Sequence, residues 1–238
     1  MRLTRIAGID TMNQYVPPAG VAFDAANSVQ GTVVANLTTS AWTISGSDRL
    51  LVAGMGWSGG GPPTYSAIKW DGSGGTALTQ VGSTLSSAGI RLAIARLIAP
   101  ATGSKTLYGE LSGAADEYCL GGVSATNANQ SVPLGSAVTA TGTGASSPFT
   151  AATGSITSDS ADLPIDFSYA SREASSGTNT VTVGFNQTQR WKQESIGSFT
   201  AGTQSTGAGA SSLVMSETFT TSGTSITWGI IGVPIKPV

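Results

Sequence analysis

Apolar residues in this chain recur at every second position, and no stretch repeats them at helical spacing with caps at both ends. That single property restricts the fold to strands. In Arg49–Trp57 the residues Leu51, Ala53, Met55 and Trp57 fall on one face of an extended segment, and Leu50, Val52, Gly54 and Gly56 on the other. Ser58-Gly59-Gly60-Gly61-Pro62-Pro63 then stops the strand abruptly. Ile90, Leu92, Ile94, Arg96 and Ile98 alternate with Arg91, Ala93, Ala95 and Leu97 in the same way. Near the end, Ile226, Trp228 and Ile230 oppose Thr227, Gly229 and Ile231. Further strands are expected at 65–70, 76–82, 105–111, 117–126, 137–141, 149–155, 163–170, 180–186 and 211–219. Asp71-Gly72-Ser73-Gly74-Gly75 supplies a turn able to take positive φ. Short strands with Gly, Asn, Ser or Pro turns at this spacing predict an all-β, antiparallel sandwich or barrel.

Residues 1–22 read differently. They hold Arg2, Arg5, Tyr15 and Pro17-Pro18 without a clear period. Pro-Pro favours an extended chain, so an N-terminal arm is expected ahead of one domain spanning 23–238. No composition break divides that domain.

The chain contains no histidine and one cysteine, and only 10% of its residues are charged, against roughly 25% in an average protein. Triads that need a histidine base and zinc sites of His and Cys ligands are therefore excluded. No phosphate-binding loop is present. The net charge of −2 argues against a nucleic-acid partner, and no segment has the length of a membrane-spanning helix. Cys119, in Tyr118-Cys119-Leu120, reads as a buried filler. The N-terminus lacks the apolar run of a secretory signal, so synthesis in a cytoplasm is expected.

Paired carboxylates are the one catalytic device left, since glycoside hydrolysis needs only two acids. The candidates are Asp116, Glu117, Asp159, Asp162, Asp166, Glu173, Glu194 and Glu217. Asp162 and Asp166, as i and i+4 of a strand, would share a face. Polar positions facing solvent explain the same residues without any reaction. A calcium site at Asp159 and Asp162 lacks a recognised spacing, and Asx-type turns account for both. Trp70, beside Lys69, and Trp191, between Arg190 and Lys192, are the tryptophans best placed for a surface role such as stacking on a glycan.

Several segments occur in an order that resembles a module of tailed-phage virion proteins. They are Ser47-Asp48-Arg49-Leu50-Leu51-Val52-Ala53, Ile68-Lys69-Trp70 with Gly75-Thr76-Ala77-Leu78-Thr79, and Leu97-Ile98-Ala99-Pro100-Ala101-Thr102-Gly103. Val132-Pro133-Leu134-Gly135, Thr188-Gln189-Arg190-Trp191 and the closing segment from Trp228 to Pro237 complete the set. The resemblance implies a jelly-roll-like β-sandwich on the exterior of a virion, as a capsid decoration or cement protein or a fibre component. No catalytic motif, metal or cofactor comes with it. The expected partners are the major capsid protein or another virion protein, with homo-oligomers, trimers among them. The arm, outside the resemblance, would supply the anchor through Arg2, Leu3, Arg5, Ile6, Ile9 and Tyr15. The alternatives are a glycan- or receptor-binding module using Trp70 and Trp191, and a polysaccharide depolymerase.

Overall fold

The computed structural model describes residues 19–172, 179–197, 200–221 and 225–238. Among the described residues eighteen strands are formed. The first half of the chain gives β1 (Ala22–Thr38), β2 (Trp42–Ile44), β3 (Leu50–Ser58), β4 (Tyr65–Trp70), β5 (Thr76–Ala77), β6 (Thr79–Gln80), β7 (Leu85–Ser87), β8 (Ile90–Ile98), β9 (Gly103–Lys105) and β10 (Leu107–Thr126). The second half gives β11 (Val138–Ala145), β12 (Phe149–Ala152), β13 (Leu163–Arg172), β14 (Asn179–Val183), β15 (Gln187–Ile196), β16 (Thr200–Gly207), β17 (Ser216–Thr221) and β18 (Ile226–Ile235).

All pairings are antiparallel, as the sequence predicts. An eight-stranded sheet runs β5-β4-β10-β3-β8-β6, with β1 also paired to β10 and β7 to β8. A five-stranded sheet runs β11-β18-β13-β16-β15, a three-stranded sheet runs β12-β17-β14, and β2 pairs with β9.

The expected alternation in β3 and β8 is present, and both faces of each strand are buried. Leu50, Val52, Ile90, Leu92 and Ile94 pack against Ile165, Phe167, Tyr169, Ile231 and Val233 of the five-stranded sheet. On the opposite face, Leu51, Ala53, Met55, Trp57, Ala93 and Ala95 meet Trp42, Ile68, Trp70 and Leu107. β10 makes this second core. Its first part, from Leu107 to Leu111, pairs with β4, and its second part, from Glu117 to Ala125, pairs with β3. The register with β1 shifts between these parts, and the eight-stranded sheet folds over itself there. A third, smaller core lies on the far face of the five-stranded sheet, where Ala170, Ala201, Ile226 and Ile230 meet Ala151, Val181 and Phe219 of the three-stranded sheet. The sandwich is thus extended on both sides into four stacked layers.

Glycine does more here than make turns. Asp71 and Gly72 take the positive φ expected of them, 79° and 80°. Gly54, Gly56 and Gly121, however, sit mid-strand under rings. A Cβ on them would collide with Phe167, Tyr169 and Trp191 respectively. The missing side chain on one sheet makes the slot for an aromatic ring from the other, so ring and backbone pack without a void.

Two expectations need correction. The predicted strands 105–111 and 117–126 form one strand, β10. Trp228 is only half-buried, at the edge of the third core where it stacks on Phe149 at 6.4 Å. Trp57 is fully buried, with its indole N–H donating to the Pro63 carbonyl at 2.8 Å.

Candidate functional site

Arg2, Leu3, Arg5, Ile6, Ile9 and Tyr15, the expected anchor, lie outside the described residues. The root of that segment is described. Val21 N–H donates to the Ala161 carbonyl at 3.0 Å, and Asn127 Nδ2 donates to the Gly20 carbonyl at 3.3 Å. From there the chain enters β1, which has one strand partner, β10, along its whole length. β1 is therefore an edge strand of the largest sheet.

Trp70 and Trp191 do not present rings to solvent. Trp70 is 1% exposed, lies edge-on to Trp42 at 5.2 Å, and donates its indole N–H to the Ala101 carbonyl at 3.0 Å. Trp191 is 6% exposed, fills the slot over Gly121, and donates to Gln204 Oε1 at 2.7 Å. The expectation of surface rings is overturned by strand geometry: neighbours in a strand face opposite ways. A basic residue beside each tryptophan thus places the ring inward.

The acids are scattered, with one exception. Asp162 is tied to Lys236 Nζ at 2.6 Å and accepts from Asp159 N–H at 2.7 Å. It does not join Asp166, contrary to the shared face expected of them, because it precedes β13 and caps the turn there. Glu194 pairs with Lys192 at 2.8 Å and accepts from Val181 N–H. Glu117 accepts from Ser58 Oγ at 2.5 Å, and burial holds its carboxyl above the ordinary range, with the Asp116 charge adding to the rise. Asp24 is held below the usual carboxylate range. Its burial works against that, but hydrogen bonds from Ser45 and Ser124 outweigh it. Glu173 lies outside the described residues.

The exception is Asp166 on β13 and Glu217 on β17, which face each other across the third core. Both are fully buried. Asp166 Oδ1 accepts from Ser205 N–H at 2.8 Å, and Oδ2 accepts from Gln187 Nε2 at 3.2 Å. Gln187 is oriented by Ser216 N–H, which donates to its Oε1 at 2.8 Å, and its Nε2 also reaches Ser205 Oγ at 2.7 Å. Glu217 has no N–H donor among the described residues and faces the Asp166 carboxyl and the Ser205 hydroxyl. Burial raises Glu217 far above the ordinary carboxylate range, and the Asp166 charge raises it further. Burial raises Asp166 as well, and the neighbouring Glu217 carboxyl and the hydrogen bonds from Ser205 and Gln187 offset part of that rise. Two facing carboxyls without a cation hold a proton between them. Both are closed off from solvent, whereas glycoside hydrolysis needs a sugar between its two acids. The sequence carried a signal for this pair: Asp166 lies between Ile165 and Phe167, and Glu217 is the lone charge in SETFTT.

An open cleft of about 310 Å³ is lined by Gly135, Ser136, Val138, Ser155, Thr157 and Lys236. It offers hydroxyls and an ammonium group already engaged by Asp162. Phe185, in the turn between β14 and β15, is 91% exposed. No three His, Cys, Asp or Glu residues come together as metal ligands among the described residues. Among the described residues no helix long and apolar enough to cross a membrane is present. Cys119 is buried between the two large sheets, and burial raises its thiol pKa.

No family model, curated protein or solved structure matches the chain.

Proposed function

We propose that this protein is a structural component of a tailed-phage virion, seated on the particle exterior and held there through its leading segment and sheet edges. The observation that carries the reading is that β1, the first strand of the described residues, is an edge strand of the largest sheet. An edge strand has unpaired N–H and C=O groups, and a segment continuing from it can add to a neighbour's sheet through main-chain hydrogen bonds. Repeated over a symmetric shell, individually weak contacts of this kind give firm attachment by avidity. The order of segments from Ser47 to Pro237 that resembles virion modules points the same way. The glycan-binding alternative has lost Trp70 and Trp191, the two rings on which it rested.

The test removes residues 1–18 and leaves β1 intact. Full-length and shortened proteins are compared for occupancy on pre-assembled capsids, by sedimentation and by imaging of labelled particles. Attachment lost at an unchanged melting temperature supports the reading. Equal occupancy of both proteins, or binding of neither, refutes it.

A further inference from the structure

The three-stranded sheet is joined to the five-stranded sheet by a small apolar contact and by side-chain hydrogen bonds from β15, among them Val181 N–H to Glu194 Oε1 at 2.8 Å and Ser216 N–H to Gln187 Oε1 at 2.8 Å. Its apolar contact with the five-stranded sheet rests on Ala151, Val181 and Phe219, with Phe149 at the margin. Beside that small contact lie the Asp166 and Glu217 carboxyls, one from each sheet, both out of reach of water.

Among the described residues no cation faces this pair. β12, β14, β16 and β18 carry no charged residue, β17 carries only Glu217, and β11 has none. Arg172 lies at the opposite end of β13, in register with Ile226, whereas Asp166 is in register with Gly232. On β15, Arg190 donates to Thr206 Oγ1 at 2.7 Å, and Lys192 pairs with Glu194. The groups that do face the acids are the Ser205 and Gln187 donors on Asp166, and Ser168 Oγ, which is buried on the same face of β13. They satisfy one negative charge. A second charge here would be buried and uncompensated, which is the most costly arrangement available to a carboxylate.

We propose that Asp166 and Glu217 form a proton-held clasp that keeps the three-stranded sheet seated on the five-stranded sheet, and that losing the proton unseats this layer while the two inner cores stay intact. The sign follows from linkage. Both folded-state pKa values are raised, so the folded protein holds protons that the unfolded chain has released above the ordinary carboxylate range. The pair's contribution to stability is therefore greatest in acid and falls as pH rises. Each proton so held increases the unfolding constant up to about tenfold per pH unit. The chain has no histidine, so the usual source of a pH effect between 5 and 8 is absent.

The inference is independent of the virion reading, and its test uses the isolated full chain. Methyl NMR spectra are recorded from pH 5 to pH 10. Val181 reports the outer sheet, and Val52 and Val233 report the inner core. In the unmodified protein the Val181 signals should broaden or shift as pH rises while those of Val52 and Val233 hold. Glu217→Gln keeps the shape and a donor to Asp166, and should abolish the Val181 response. In urea titrations it should also remove about one proton's worth of pH slope, up to about tenfold per pH unit in the unfolding constant. Asp166→Asn is the second variant if Glu217→Gln does not fold; it removes the Asp166 charge that raises Glu217, so the Val181 response should move to lower pH. A Val181 signal unmoved across the range, or one that moves equally in the variants, overturns the proposal. So does stabilisation by millimolar calcium chloride at pH 9 that Glu217→Gln abolishes, which would make the pair a cation site instead.

Discussion

Gly54→Ala is the sharpest probe of how the two large sheets meet. Gly54 has a backbone that alanine can adopt, since its φ is not in the left-handed region. Replacing glycine at such a position ordinarily stabilises by about 0.4–1 kcal/mol, through the unfolded chain. Here the added methyl would lie 2.6 Å from Phe167 Cδ2 and 2.9 Å from Phe167 Cβ. Ordinary carbon–carbon contact is about 3.5–4.0 Å, so the ring or the sheet must move by about 1 Å. Overpacking of that kind costs about 1–3 kcal/mol. The net expectation is a loss of about 2 kcal/mol, or about 4–8 °C in melting temperature for a domain of this size. Urea unfolding of a double-mutant cycle isolates the cause. Phe167→Ala alone should cost about 3–5 kcal/mol by leaving a cavity. In that background Gly54→Ala fills part of the cavity and should become neutral or stabilising, giving a coupling energy of about 2 kcal/mol. Additive effects, or a Gly54→Ala protein as stable as its parent, would refute the idea that glycines set the spacing between the sheets.

Val33 is a β-branched residue at φ 53° and is 74% exposed, so Val33→Gly should raise stability by about 1 kcal/mol, read as a higher melting temperature; a lower one would show that the side chain has a packing role. Lys236→Met should cost about 3 kcal/mol or more in urea titrations, because it strands the buried Asp162 carboxylate. Adding Asp162→Asn should recover most of that loss, and failure to recover it would place the cost in the lysine stem. Trp57→Ala should cost about 3–5 kcal/mol and the half-buried Trp228→Ala clearly less; the reverse ranking would invert the assignment of the cores.

The strands that could be read from the sequence are those whose burial is apolar on both faces. β3 and β8 announce themselves because the residues facing one core and those facing the other are separate hydrophobic sets. β1, β15 and β16 leave no such trace. β16, TAGTQSTG, is buried along its whole length, yet its residues are held by hydrogen bonds, such as Thr203 Oγ1 to the Trp191 carbonyl at 2.7 Å. A period-two search sees only polar letters there. The same blindness hid the acid pair. Asp166 and Glu217 were both visible as candidates, but their pairing depends on how two sheets stack, which no local spacing encodes. The anchor residues 2–15 were read from composition and lie outside the described residues. The tryptophans were misread because charge beside a ring was taken as exposure, where the alternation of a strand makes it a sign of the opposite.

The position of β18 sets the timetable of folding. It is hydrogen-bonded between β11 and β13, both of which precede it in the chain. Neither can find its central neighbour until residue 235 has been synthesised. At about 5–20 residues per second, β13 waits roughly 3–13 s on the ribosome with an open flank. A nascent chain in that condition risks pairing with another of its kind. The Thr, Gly and Ala residues of β11 give such an encounter little apolar surface to grip, so restraint in composition there protects the chain during its own birth.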